Sequence, residues 1–218
     1  MENRVDTVTD GLPPLYRFRI ATITTETGSV ISPVYGQPNP CTAPVTTTPS
    51  ANTSSCYPVY WTPAGYTAPF LDWFNKYVVT SVTQTDPTGG APAVVTSYNY
   101  KGGAAWHYDD NEVVQPKYRT YGQFRGYGDV QTLTGDGVND KQTLAEATYY
   151  RDMSDDNNST AVTLTDSAGG THDDTDQLAG LPLETTAYLG NGGPVDHSTI
   201  TSYWVSAAAT VPAAACRR

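Results

Sequence analysis

The sequence predicts an all-β fold, an antiparallel meander of hairpins that forms either an open coiled sheet or a β-sandwich. Three observations carry this. Tyr supplies 16, Gly 19 and Pro 16 of the 218 residues, a composition of strand and turn formers. Alternating or β-branched segments are separated by dense turn clusters. Helical periodicity is nearly absent. A chain of this length commonly forms one domain. Residues 1–206 read as a single β-rich unit, and the Ala-rich stretch 207–218 reads as a flexible tail.

Residues 16–25 alternate, with Tyr16, Phe18, Ile20 and Thr22 on one face and Arg17, Arg19, Ala21 and Ile23 on the other. Glu26-Thr27-Gly28 then turns the chain into Val30 and Ile31, a first hairpin. Residues 76–85 and 93–100 flank Asp86-Pro87-Thr88-Gly89-Gly90-Ala91-Pro92, whose Pro and Gly residues provide turn dihedrals. Further strands are expected near 128–134, 144–150, 161–165, 183–188 and 198–205, separated by turn formers at 135–140, 154–159 and 190–194. The exception to this rhythm is 67–77. There Phe70, Trp73, Phe74 and Tyr77 recur at helical spacing after Pro69, which predicts at most one short helix.

Three strand ends are alike: Tyr98-Asn99-Tyr100-Lys101-Gly102-Gly103, Tyr149-Tyr150-Arg151-Asp152 and Thr186-Ala187-Tyr188-Leu189-Gly190. The most distinctive stretch is Phe124-Arg125-Gly126-Tyr127-Gly128, an aromatic-Arg-Gly-aromatic-Gly string leading into a strand. With Tyr118-Arg119-Thr120-Tyr121-Gly122 upstream, it resembles the FRGFG-type segment of RHS/YD-repeat proteins and of the related B components of insecticidal toxin complexes. The stretches from Asp10 to Phe18, Ile23 to Gly28, Cys56 to Pro63, Asp72 to Val79, Gly103 to Tyr108 and Leu178 to Thr186 resemble the actinobacterial branch. The resemblance implies a non-repetitive segment near or before the repeats. It also implies a β-rich shell around a toxic polypeptide, so that the partners would be the remainder of a larger RHS-type chain and its enclosed toxin. The strand ends then read as degenerate YD hairpins, although Tyr100-Lys101 and Tyr188-Leu189 lack the Tyr-Asp pair. Toxic activity and self-cleavage belong to other segments in that family, so no catalytic residue carries over.

A formal charge of −10 disfavours nucleic acid as a partner. No apolar run is long enough to span a bilayer, and the N-terminus lacks the apolar core of a signal peptide. The secreted or cell-surface location implied by the resemblance therefore requires a signal outside this chain. Cys41 and Cys56 bracket a segment rich in Pro, Thr, Ser and Asn. A disulfide closing that loop would stabilise the fold by roughly 3 kcal/mol, with two free thiols as the alternative. Cys216 is left over as a free thiol on the tail.

His107, His172 and His197 each lie near carboxylates, but no metalloprotease pair, nucleophile elbow or phosphate loop accompanies them. Neither catalysis nor a cofactor is expected. Asp152, Asp155 and Asp156 form one acidic loop, and Asp166, Asp173, Asp174 and Asp176 another. Both offer the oxygen ligands calcium takes, without the spacing of a calcium loop, so Asp152, Asp155 and Asp156 are calcium candidates behind a reading as solvated turns. Arg125, between Phe124 and Tyr127, is expected to stack on an aromatic ring and bridge Asp129 or Glu146. The function these readings imply is a structural shell segment. The alternative is a secreted binding module for a carbohydrate or cell-surface partner, using Trp61, Tyr66, Trp106 and Tyr108 as exposed aromatics.

Overall fold

The computed structural model describes residues 1–5, 11–139 and 141–206; the tail 207–218, with Cys216, lies outside them. Twelve strands are formed: β1 (Ile23–Thr24), β2 (Val30–Gly36), β3 (Cys56–Trp61), β4 (Phe70–Asn75), β5 (Val78–Thr85), β6 (Val94–His107), β7 (Gln123–Thr134), β8 (Thr143–Tyr149), β9 (Thr163–Thr165), β10 (Thr171–Asp173), β11 (Pro182–Tyr188) and β12 (Val195–Ile200). Eight of them build one antiparallel sheet in the order β1-β2-β5-β6-β7-β8-β11-β12. The other four form two hairpins, β3–β4 and β9–β10, inserted between sheet neighbours. The first half, β1 to β6, and the second, β7 to β12, therefore share one plan: two sheet strands, a hairpin excursion, then two more sheet strands.

The antiparallel all-β reading holds, with local corrections. Only 23–24 of the expected strand 16–25 enters the sheet, although Tyr16 makes an isolated bridge to Glu2. The segment 67–77 is not helical. Phe70–Asn75 is strand β4, paired in register with β3 from Trp61↔Phe70 to Cys56↔Asn75. Asp72 and Phe74 are buried on one face while Leu71 is exposed on the other, so a period of two prevails over the helical spacing in a run this rich in aromatic residues. Tyr98–Gly103 does not end a strand, because β6 runs on to His107.

Glycines make that continuation possible. Gly102 and Gly103 both take φ of +78° at a register shift between Lys101 and Ala104, a bulge that bends β6. A Cβ on Gly103 would sit 2.8 Å from the Thr53 side chain, and Ala104 N donates to Thr53 O at 2.9 Å. The bend lays the end of β6 beneath the β3–β4 hairpin, where the packed core lies. Ala104, Trp106 and Tyr127 are buried there, with Tyr57 stacked on Trp106 at 5.0 Å and Phe124 against it at 5.1 Å. Cys41 and Cys56 are joined, with Cα atoms 6.0 Å apart, tying the preceding loop to the first residue of β3.

Among the described residues, buried apolar side chains away from that core include Leu133, Leu144, Tyr150 and Leu183. The chain exposes 13525 Å², against roughly 9,700 Å² expected of a compact monomer of this mass. The 18 residues outside the description, even fully extended, would account for only about 2,800 Å² of surface by the same scaling. Phe18, Tyr16, Ile20, Val34, Val195 and Trp204 are among the apolar side chains left facing solvent.

Candidate functional site

The distinctive Phe124–Gly128 segment is a β-bulge. Opposite it, Ala105 pairs with Gly126 and Trp106 with Phe124, leaving Arg125 as the extra residue, while Gly126 supplies a φ of +88°. Such a bulge re-aims the side chain it carries. Here it sends the Arg125 guanidinium to Asp152 Oδ2 at 2.9 Å, with a further bond to Gln123 Oε1 at 3.3 Å. The expected partners are thereby corrected. Asp129 accepts from Thr148, and Glu146 is taken by Lys101 and Gln131. The cation over Phe124 is Lys76, at 4.4 Å from the ring centroid.

Asp152 belongs to a cluster built by the loop after β8. Asp152, Asp155 and Asn157 adopt left-handed backbone, at φ of 59°, 58° and 49°, a conformation that costs free energy for residues with a Cβ. What holds the loop there is Asp174, fully buried, whose Oδ1 accepts from Arg151 N at 2.6 Å and Asp152 N at 2.9 Å. His107, at the end of β6, completes the group. Its Nδ1 lies 2.8 Å from Tyr108 O, which can only accept, so Nδ1 carries hydrogen. Its Nε2 faces Asp156 Oδ1 at 3.4 Å and Asp152 Oδ2 at 3.8 Å. Tyr108 N donates to the same Asp156 oxygen at 3.0 Å. A polar concavity of about 400 Å³ lies alongside, lined in part by His107, Asp110, Asp152, Asp155 and Asp176.

The calcium candidates are thus used differently from one another. Asp152 and Asp156 are buried and turned towards Arg125, His107 and a backbone amide, and Asp155 is exposed. In the second acidic group, Asp166 caps the β9–β10 turn, accepting from Ala168 N and Gly170 N, and pairs with His172 at 2.7 Å. Asp174 lies under the other loop, so this group does not converge. Among the described residues no cluster of three or more His, Cys, Asp or Glu side chains is placed to hold a metal. Asp152 and Asp156 thus clasp Arg125 on β7 and His107 at the end of β6 to the loop after β8.

Burial pushes the Asp152 carboxyl above the usual range, and Arg125 and His107 act the other way. A raised native value means that the folded state holds this proton more tightly than the unfolded one. The contribution to stability is then full in acid and declines as pH rises from the unfolded carboxyl's value through the folded one. Arg125 limits that decline. Arg125→Ala is expected to cost about 1–3 kcal/mol at neutral pH, and less in acid, where Asp152 is protonated. Urea unfolding at neutral and at acid pH checks this, and an equal loss at both would rule out the ion pair as the cause.

One group had no sequence signal of its own. Arg4 is fully buried and donates through Nε to Asp72 Oδ2 at 2.7 Å, and Trp61 Nε1 donates to the same oxygen at 2.9 Å. Asp72, an acid inside an otherwise aromatic run, was the available clue that a buried cation must lie opposite it. Of the four aromatics singled out for binding, Trp106 is core rather than exposed, and its Nε1 donates to Ser54 O. Trp61 packs on Phe70 and Phe74, Tyr66 on Phe70, and Tyr108 on Tyr121. Comparison with known protein families, with curated proteins and with solved structures found no match to this chain.

Proposed function

We propose that the chain is a section of shell wall, of the kind that RHS/YD-repeat and toxin-complex proteins build around a toxic polypeptide. The observation that carries this reading is the open sheet. Among the described residues, β1 pairs only with β2 and β12 only with β11, so both edges of an eight-stranded sheet are left without a neighbour. All six residues of β12 are exposed. A solitary domain commonly closes, shortens or covers such edges, since each presents a row of unpaired donors and acceptors. A wall is instead continued by further strands at those edges, and the exposed apolar side chains become contacts within the larger assembly. The Arg125 clasp then fixes register at a bulge, and no chemistry is asked of it. Secretion or display at a cell surface suits the Cys41–Cys56 bond.

The edge can be tested directly. Thr201 N donates to Leu183 O, so alternation turns the backbone N–H of Ile200 away from β11 and outward. The isolated chain is expected to self-associate as concentration rises, with Ile200→Pro reducing association without loss of β-sheet circular dichroism. Sedimentation velocity over a hundredfold concentration range reads both. A parent chain that stays monomeric throughout would overturn the reading and favour a self-contained module.

A further inference from the structure

The chain carries 22 acidic against 12 basic residues, yet a concavity of about 450 Å³ on the face of β5 to β8 has no carboxylate in its lining. Its floor is aromatic. Tyr100, Phe124 and Tyr127 lie in it, with Tyr100 and Tyr127 rings 4.8 Å apart and Phe124 edge-on to Tyr127 at 6.0 Å. Lys76 and Arg125 stand on its lining. Lys76 occupies the step between β4 and β5, where the chain passes from the hairpin to the sheet, and this holds its ammonium over Phe124. Arg19, which lines a separate concavity with Phe18 and Val34, stacks on Tyr77, a lining residue of this one, at 4.5 Å.

These cations are not equally satisfied. Arg125 is neutralised by Asp152. Lys76 makes no ion pair among the described residues, and Arg19 Nη1 is buried without a hydrogen-bond acceptor. Burial, with the nearby charge of Arg19, holds the Lys76 ammonium below its usual range, as befits a desolvated cation lacking a counter-charge. Cation–aromatic contacts offset only part of that desolvation. A cation left without an anion beside an apolar floor, in an acidic protein, is complementary to one kind of occupant. Volume and lining fall in the range of small-molecule sites, in which an apolar surface takes the body and a few polar groups orient it.

We propose that this groove binds a small organic anion with a flat apolar body, an aromatic carboxylate, whose ring lies over Tyr100, Phe124 and Tyr127 and whose carboxylate meets Lys76. This does not depend on the shell reading.

Calorimetric titration of the whole chain with 1-naphthoate and with uncharged 1-naphthalenemethanol tests it. Naphthoate is expected to bind about tenfold more tightly or better, the difference made by one charge-assisted contact. Lys76→Met is expected to remove that preference, whereas Lys101→Met, which alters a lysine already paired with Glu146, keeps it. The melting temperature of Lys76→Met separates lost binding from lost folding, and it is expected to equal or exceed the parent's, because an uncompensated half-buried charge has gone. Equal affinity for the two probes, no binding of either, or naphthoate binding unchanged in Lys76→Met would each overturn the proposal. So would an acidic peptide that occupies the groove and is not displaced by naphthoate.

Discussion

Arg4→Ala is expected to remove about 3–5 kcal/mol of stability, the cost of leaving a buried charge uncompensated. Arg4 is fully buried, and the carboxylate it meets, Asp72, is only 7% exposed. The guanidinium also reaches Leu12 O and Pro13 O, and its backbone bridges to Phe74 on β4. The side chain thus fastens the N-terminal segment along the edge of β4 that does not face β3. Removing it strands Asp72, which would retain only Trp61 Nε1 and its neighbouring amide, Trp73 N. Against a net stability of about 5–15 kcal/mol for a domain, the loss is a large fraction of the whole. The double replacement Arg4→Met with Asp72→Leu is expected to recover much of it, because both desolvation costs vanish together. Urea midpoints for the parent, single and double variants decide. A loss below about 1 kcal/mol in Arg4→Ala would place the pair among solvent-screened ones and contradict its burial.

The same pair marks how far the sequence can be read. Strands β5, β7, β8 and β11 were legible because their signals are local: β-branched or aromatic runs between turn residues. β4 was misread because Phe70, Trp73, Phe74 and Tyr77 satisfy a helical spacing, and only pairing with Cys56–Trp61 chooses the strand. Arg4 and Asp72 are 68 residues apart, and no local pattern announces such a partner. The Phe124–Gly128 string was recognisable as unusual. That Arg125 would be the inserted residue of a bulge depends on the register with Ala105 and Trp106. Its carboxylate lies 27 positions on, in a loop that folds back because Asp174 caps it. Asp152 was visible as an acid, but its role changed from candidate ligand to ion-pair partner once it was buried beside a guanidinium.

Trp106→Ala is expected to cost about 3–5 kcal/mol, and the reason is where this protein is thick. Trp106 is 3% exposed, sandwiched between Tyr57 of the hairpin and Phe124 of the sheet, with its indole N–H donated to Ser54 O. Its loss opens the contact of the β3–β4 hairpin with β6 and β7, and it leaves the Ser54 carbonyl unpaired. In a sheet covered along its whole width, every strand would share such weight. Here β2 contributes Val34 at 54% exposure and β12 is exposed along its length, so Val34→Ala is expected to change stability by no more than about 0.5 kcal/mol. Amide exchange should follow the same gradient, with slowest exchange at Ala104 and Tyr127 and fastest along β12, whose opening uncovers almost no apolar surface. Trp106→Ala is then expected to raise exchange throughout β3, β4 and the bent end of β6, and to leave β12 unchanged. Uniform protection across all eight sheet strands, or a loss at Val34 matching that at Trp106, would mean that the sheet is held as one cooperative body and not pinned at a single aromatic patch.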